Sequence, residues 1–124
     1  MQVFKTKRFG RFARSEKIDD AALCEAIERA ERGLIDADLG GGLIKQRVAR
    51  PGKGRSGGFR TLLAFRAEKR SVFVYGFAKG ERDNIGKREL EFWRATAAAF
   101  LALDDKQIAA LLKAGDLLEV RCDD

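Results

Sequence analysis

The sequence predicts an α+β fold, in which a small antiparallel sheet carries helices from both the N-terminal and the C-terminal parts of the chain. Residues 59–65 and 71–77 are two strand-like runs separated by a short polar turn, the pattern of an antiparallel hairpin. Apolar residues recur instead at helical spacing within 23–30 and 90–100. The chain has 124 residues, of which 45% are hydrophobic, so we expect residues 1–124 to form a single domain with one core.

The N-terminal third contains two predicted elements. Phenylalanines alternate with cations through residues 4–14, which predicts a short amphipathic arm or helix with packed rings and solvated charges. Asp19 or Asp20 can then cap a helix that runs to about Arg32. Cys24 lies beside the apolar stripe of this helix, and we expect it to be a small packed thiol.

The middle of the chain is predicted to form the sheet. A strand over residues 43–48 follows a flexible run of glycines, and a loop dense in glycine and cations follows over 50–58. The strand over 59–65 places Phe59, Thr61, Leu63 and Phe65 on one face. Residues 67–70 form a polar turn, and the run 71–77 is apolar on both faces, as expected for the centre of a covered sheet.

The C-terminal third is predicted to be helical. The spacing of apolar residues predicts a helix from Ile85 to about Leu103. Asp104 provides an acidic cap, with Gln107 three residues later, for a second helix that ends at Gly115. Residues 117–120 then form a short terminal strand or an extended tail. We expect two aromatic residues, Trp93 on the first helix and Tyr75 in the apolar strand, to pack in the core.

The composition excludes several classes of site. The chain has no histidine, which excludes His-containing zinc sites, the Ser-His-Asp triad and the Cys-His dyad. Residues 52–57 satisfy the pattern G-x-G-x-x-G, but a strand-like run follows where a dinucleotide site needs a helix. Asp36 and Asp38 are expected in turn or capping roles. We therefore predict no metal and no cofactor. No apolar run approaches the roughly 20 residues of a membrane helix and no signal peptide is apparent, so we expect a soluble, cytoplasmic protein.

Positive charge is concentrated in two segments. Residues 1–17 contain six Lys or Arg and one Glu, whereas residues 18–38 contain two Arg and seven acids. Residues 45–70 contain nine Lys or Arg and one acid, Glu68. Such segregation is typical of a surface that binds phosphates or an acidic partner.

The central cations are predicted to converge. If the two strands of the hairpin pair, the start of one adjoins the end of the other, which brings Arg60 toward Lys79 and Arg82. Guanidinium groups bind phosphate oxygens in a bidentate manner, and lysine adds a compact charge. The converging side chains are Arg50, Lys53 and Arg55 in the loop, Arg60 on the strand, and Lys79 and Arg82 after the next strand.

The residues Gly57-Gly58-Phe59-Arg60-Thr61-Leu62-Leu63, the strand 72–77 and the segment Ala78-Lys79-Gly80-Glu81-Arg82 together resemble the RelE/ParE-like toxins of bacterial type II toxin-antitoxin systems. The similarity is greatest to their RelE and HigB branch. The resemblance implies a compact α+β fold and an mRNA interferase, an endoribonuclease that cuts mRNA in the ribosomal A site and thereby inhibits translation. It also implies three partners, namely a cognate antitoxin, the ribosome and mRNA, and no membrane.

The resemblance also implies the site residues. Arg60 matches the arginine of the family's Gly-aromatic-Arg motif, Lys53 and Arg55 match its basic loop, and Lys79 and Arg82 match its cations after the following strand. The expected catalytic residues are Arg60, Lys53, Lys79 and Arg82. The expected phosphate-binding residues are Arg50, Arg55, Lys45 and Arg47. The best-known RelE-type enzymes also have a tyrosine shortly after the arginine that matches Arg82. This chain has no counterpart of it, since its one tyrosine is Tyr75.

Metal-independent cleavage of RNA by such a site would be largely electrostatic. Arg60 and Arg82 would hold the phosphoryl oxygens, and Lys53 or Lys79 would act as general base or acid. Two other functions stay open: a ParE-like toxin that inhibits DNA gyrase by binding, and a non-catalytic RNA-binding module. The sequence leaves open the codon preference, the class of antitoxin and the oligomeric state.

Overall fold

The computed structural model describes residues 1–50, 54–78, 80 and 85–122. Its helices and strands follow in the order β1 (Gln2–Thr6), α1 (Lys7–Ser15), α2 (Asp20–Glu31), β2 (Ala37–Gly40), β3 (Leu43–Arg50), β4 (Gly54–Arg66), β5 (Arg70–Ala78), α3 (Lys87–Ala102), α4 (Asp105–Ala114) and β6 (Leu117–Glu119). The predicted α+β class is confirmed. The longest helix in the described ranges, α3, has 16 residues, and none is long and apolar enough to cross a membrane.

The strands form one mixed sheet in the order β2-β3-β4-β5-β1-β6. Four of its five strand pairings among the described residues are antiparallel, as predicted. The fifth differs from the prediction, because β1 pairs with β5 in parallel, from Gln2 opposite Arg70 to Lys5 opposite Phe73. The N-terminal segment was expected to be one arm or helix. It is instead a strand followed directly by a helix, since the Thr6 side chain accepts a hydrogen bond from the Phe9 amide and caps α1.

The predicted hairpin is confirmed as β4 and β5, which pair from Phe59 opposite Ala78 to Arg66 opposite Arg70. Arg70 was expected in the turn but begins β5 and is buried. Its guanidinium donates hydrogen bonds to the Phe100 and Leu103 carbonyls, at 2.8 and 2.7 Å. These carbonyls lie at the C-terminal end of α3, where the helix leaves carbonyl groups without partners. Because these carbonyl groups need hydrogen-bond donors, the charged Arg70 can be buried at the end of this turn.

The glycine-rich segment expected as a loop over 50–58 is largely strand. β4 begins at Gly54, which pairs with Arg50 of β3. Residues 51–53 lie outside the described residues. Glycine disfavours strands intrinsically, but pairing with an existing neighbour strand overrides this local preference.

The sheet has a helical layer on each face. α1 and α2 cover one face, and the core residues on that side include Phe9, Leu23, Ile27, Phe59, Leu63 and Phe73. α3 and α4 cover the other, with a second core that includes Leu62, Val74, Trp93, Ala97, Leu101 and Ile108. The predicted burial of Trp93 is confirmed.

The helix boundaries follow their capping signals. Asp19 caps α2, and Asp104 with Gln107 forms the predicted capping box of α4. This helix ends at Gly115, which has a φ of 80° and adopts the left-handed conformation that glycine favours. α3 begins at Lys87, two residues after the predicted start at Ile85.

A disulfide joins Cys24 of α2 to Cys122 near the C-terminus, so the expectation that Cys24 is a packed thiol is wrong. After β6 the chain runs back alongside α2, because the Val120 amide donates to the Val3 carbonyl and the Arg121 amide donates to the Asp20 carboxylate. This path brings together two cysteines that are 98 residues apart in sequence.

Candidate functional site

Three cations, Lys45, Arg47 and Arg60, form a row on the sheet next to the core beneath α3, and we call them the cationic row. Leu62 of β4 and Tyr75 of β5 are paired and lie at the margin of this core. Arg60 and its partner Phe77 come next along the same strands. Since side chains alternate along a strand, Arg60 lies on the same face as Leu62. The face therefore changes from apolar to cationic within two residues of β4.

The neighbouring strand adds two more cations to this face. Arg47 of β3 lies directly opposite Arg60, and Lys45 lies opposite Leu62. Like charges directly opposite each other in a sheet repel. The Asp36 carboxylate, 3.1 Å from the Arg47 guanidinium, offsets part of this repulsion. The structure thus brings three of the predicted residues, Lys45, Arg47 and Arg60, onto one face.

Arg60 is the cation of this row best prepared to bind an anion. Its side chain is half-buried, and its guanidinium donates one hydrogen bond, to the Gly58 carbonyl at 3.3 Å. Among the described residues, no carboxylate forms an ion pair with it. Arg47, in contrast, is paired with Asp36 at 3.1 Å. Arg60 therefore keeps donors available for phosphate oxygens.

Asp36 organises the outer part of this site. It accepts hydrogen bonds from the amide of Arg47 at 2.6 Å and from its guanidinium. The guanidinium of Arg29 on α2 lies 3.7 Å from the same carboxylate and also donates to the Arg47 carbonyl. Burial alone would raise the pKa of Asp36, but the two hydrogen bonds from Arg47, with the charges of Arg47 and Arg29, hold it below its ordinary value. Asp36 thus stays ionised and fixes Arg47.

Arg50 lies apart from this row. Its guanidinium is 5.3 Å from the centre of the Phe59 ring, and Phe59 packs in the core beneath α1 and α2. Phe59 and Arg60 are consecutive in β4 and so lie on opposite faces. The structure therefore places Arg50 on the opposite face of the sheet from Arg60. Its role in phosphate binding stays a prediction.

Aromatic rings continue the cationic row toward α1. The Tyr75 ring stacks on Trp93 at 5.1 Å and lies 5.8 Å from Phe77. The guanidinium of Arg8, at the start of α1, lies 5.5 Å from the centre of the Tyr75 ring. This distance is typical of a cation-π contact. Sequence reasoning gave Arg8 no role at the site, although the concentration of cations in residues 1–17 was a signal of one.

The family of the chain follows from a comparison with protein-family models. The model described as the RelE toxin of the RelE / RelB toxin-antitoxin system matches residues 1–120. The chain belongs to the RelE toxin family. No curated protein matches it at a significant level. The resemblance stated from the sequence is thereby confirmed, and membership implies a toxin of a toxin-antitoxin system with an antitoxin as its partner.

The remaining predicted residues of this RelE-family site lie outside the described residues. Lys53, Lys79 and Arg82 are among them, and Arg55 lies in β4 with a side chain that is also outside them. The pairing of Phe59 with Ala78 does establish the predicted adjacency of the two strand ends. Convergence of these side chains on Arg60 stays a prediction.

Of the two aspartates expected in turn or capping roles, Asp36 instead pairs with Arg47 and Arg29. No group of three or more Cys, Asp or Glu side chains in residues 1–50, 54–78, 80 and 85–122 could hold a metal ion. Asp38 accepts a hydrogen bond from the Gly40 amide, which confirms its predicted turn role.

Proposed function

We propose that this RelE-family chain is a ribosome-dependent mRNA interferase, an endoribonuclease that cuts mRNA in the ribosomal A site until a cognate antitoxin neutralises it. The observation that carries the proposal is the state of Arg60. The side chain of Arg60 is half-buried and has no carboxylate partner among the described residues, and Arg60 lies opposite Arg47 in the pairing of β3 with β4. Family membership supports the assignment because RelE toxins are generally endoribonucleases.

The proposed reaction is an intramolecular displacement at phosphorus. The 2′-hydroxyl of the RNA loses its proton, and its oxygen forms a bond to the adjacent phosphorus. The bond from phosphorus to the 5′-oxygen then breaks, and that oxygen takes up a proton. Arg60 would bind the non-bridging oxygens, where negative charge builds up in the transition state.

Proton transfer is assigned to lysine because the chain lacks histidine. Lys53 and Lys79, which are predicted from the sequence to belong to the site, would act as general base and general acid, in an order that the proposal leaves open. Arg82 would add a second bidentate contact to the phosphoryl group.

The ribosome would supply the orientation that this site lacks. Cations stabilise charge but do not by themselves align the 2′-oxygen, phosphorus and 5′-oxygen for in-line attack. Such alignment accounts for a large part of the rate in intramolecular reactions. A message held in the decoding site, with the toxin bound beside it, would meet this requirement, whereas free RNA would not.

The test is to map the 5′ ends of a defined mRNA after incubation with the purified protein. We expect cuts at the A-site codon of programmed ribosomes and almost none in the same mRNA without ribosomes. Tight, salt-dependent RNA binding without cuts would support the RNA-binding module instead. Inhibition of DNA gyrase supercoiling without cuts in mRNA would support a ParE-like toxin.

A further inference from the structure

The outer face of α1 is almost entirely cationic. Phe9, Gly10 and Ala13 are buried against the sheet, whereas the exposed side is made of cations and Ser15. With 3.6 residues per turn, these cations fall within an arc of about 120° and extend over about 10 Å. We call this surface the α1 cation face; its residues are Lys7, Arg8, Arg11 and Arg14.

The α1 cation face has no acidic partner among the described residues. The ion pair closest to it in sequence, between Lys5 and Asp20, involves none of its members. Lys7 and Arg11 are four residues apart, and Arg11 and Arg14 are three apart, so the charges of each pair repel and weaken the isolated helix. A polyanion bound across the face would remove this repulsion.

The chemistry of the face favours a phosphate backbone over an acidic protein. Protein interfaces have an apolar, aromatic-rich centre that is depleted in lysine, and the α1 cation face contains no aromatic ring, since Phe9 is buried and the half-buried Phe12 packs against Phe9 and Phe59. Single-stranded RNA is held largely by stacking on aromatic rings, which the α1 cation face lacks. A cationic surface without aromatic rings suits the regularly spaced phosphate groups of an RNA double helix.

The face is also connected to the candidate site. Arg8 belongs to the α1 cation face and at the same time lies over the Tyr75 ring. Tyr75 neighbours Phe77, which pairs with Arg60. An RNA helix on α1 would therefore lie beside the position proposed for the strand that is cut.

We propose that the α1 cation face docks the phosphate backbone of double-helical RNA next to the cleavage site. The inference rests on the proposed function for the source of that RNA, which would be structured ribosomal RNA around the message. The contact itself requires neither a particular base sequence nor cleavage. Its signature is a strong dependence of affinity on salt, because each phosphate contact releases bound counterions.

The test measures binding of a fluorescein-labelled RNA hairpin with a 12-base-pair stem by anisotropy, between 50 and 200 mM salt. All chains carry Arg60→Gln, so that loss of RNA to cleavage cannot affect the result. The test variant adds Lys7→Gln, Arg11→Gln and Arg14→Gln. The matched control adds Lys69→Gln, Lys106→Gln and Lys113→Gln, three exposed cations whose replacement changes the net charge equally.

We expect the test variant to bind the hairpin about tenfold more weakly at 100 mM salt. The slope of log affinity against log salt should fall by about 2 to 3, at 0.7 to 0.9 per lost contact. The control variant should keep the parent slope. Equal slopes in the test variant and its parent, or equal losses in the test and control variants, would overturn the proposal.

Two features distinguish a loss of RNA binding by α1 from unfolding of the variant and from failure of the proposed function. Glutamine is a good helix former, and its introduction removes repulsion, so far-UV circular dichroism should show an intact helix content. If the unmodified protein cuts no mRNA on ribosomes, the proposed function fails. The hairpin measurement still decides whether α1 binds an RNA backbone.

Discussion

A single carboxylate determines how one side of the candidate site is arranged. Asp36 holds both the backbone and the guanidinium of Arg47, and it neutralises part of the charge of the buried Arg29. These contacts hold the guanidinium of Arg47 at Asp36, with the side chain 43% exposed, while Arg47 and Arg60 lie opposite each other in β3 and β4. The position of Arg47 thus depends on an acidic residue that is not itself one of the cations.

Replacement of this carboxylate should cost stability in a pH-dependent way. We predict that Asp36→Asn lowers the free energy of unfolding by about 1–3 kcal/mol at pH 7, because Arg29 loses a charged partner in a buried position. The pKa of Asp36 is lowered by folding from its ordinary value of 3.8. The stability that ionised Asp36 contributes is therefore complete above pH 3.8 and is lost as the pH falls through the pKa of Asp36 in the folded protein.

Urea unfolding of the wild type and Asp36→Asn between pH 2.5 and 7 measures this effect. The two free energies should converge at the acid end, where the wild-type carboxyl is also neutral. Glu91→Gln, which removes an exposed carboxylate of α3, serves as the control and should follow the wild type throughout. A difference for Asp36→Asn that is independent of pH would contradict this account.

At the level of elements, α1 packs unusually close to β5. The Phe12 ring lies over Gly76, where a Cβ atom would come within 2.5 Å of the Phe12 Cε2 atom and 3.1 Å of the Phe9 Cε1 atom. The same ring packs edge-on against Phe59. Gly76 therefore sets the distance between the helix that carries the α1 cation face and the strand that carries Tyr75.

We predict that Gly76→Ala destabilises the protein by about 1–3 kcal/mol, because the added methyl group overpacks this contact. Urea denaturation measures the change. Phe12→Leu, a smaller side chain, should partly compensate, so that the double variant is more stable than the sum of the single effects predicts. Strict additivity of the two substitutions would argue against the steric explanation.

The fold could be predicted from the sequence where its signals are local. The β4–β5 hairpin, the capped helices α2 and α4 and the buried face that contains Trp93 all follow from periodicity and capping within a few residues. The adjacency of Phe59 and Ala78 follows in turn from the hairpin. These features correctly placed Arg60 opposite the end of β5, although β4 itself begins at Gly54, six residues before Arg60.

The parts that sequence reasoning missed depend on contacts between distant segments. The parallel pairing of β1 with β5 joins residues that lie nearly 70 positions apart, and no turn signal encodes it. Arg50 was grouped with Arg60 because the predicted loop that contains Arg50 leads into the predicted strand that contains Arg60. In the structure Arg50 contacts Phe59, and alternation along β4 places Phe59 and Arg60 on opposite faces of the sheet. The pairing of Arg47 with Asp36 likewise required the observed register of β2 and β3.

At the scale of the whole molecule, the Cys24–Cys122 disulfide closes most of the chain into one loop. It ties the segment after β6 to α2 and so connects the two ends of the sequence. By the chain-entropy model, a cross-link over about 100 residues restricts the unfolded state strongly. The disulfide therefore contributes to the stability of the whole fold, although it lies outside the candidate site.

We predict that a reductant lowers the free energy of unfolding by about 2–4 kcal/mol. Urea unfolding with and without dithiothreitol measures the difference. The double variant Cys24→Ser/Cys122→Ser should have the stability of the reduced wild type and should not respond to the reductant. An equal response in the double variant would show that the effect does not come from this bond.

The central claim is that Arg60 stabilises the phosphoryl group during RNA cleavage, and single-turnover cleavage of mRNA on programmed ribosomes tests it most directly. Arg60→Gln is compared with Lys106→Gln, which removes an exposed cation of α4, after thermal unfolding has shown that both variants are folded. Loss of one preorganised donor predicts a rate roughly 10²–10³-fold lower for Arg60→Gln, with Lys106→Gln within about twofold of the wild type. A wild-type rate in folded Arg60→Gln would contradict the account.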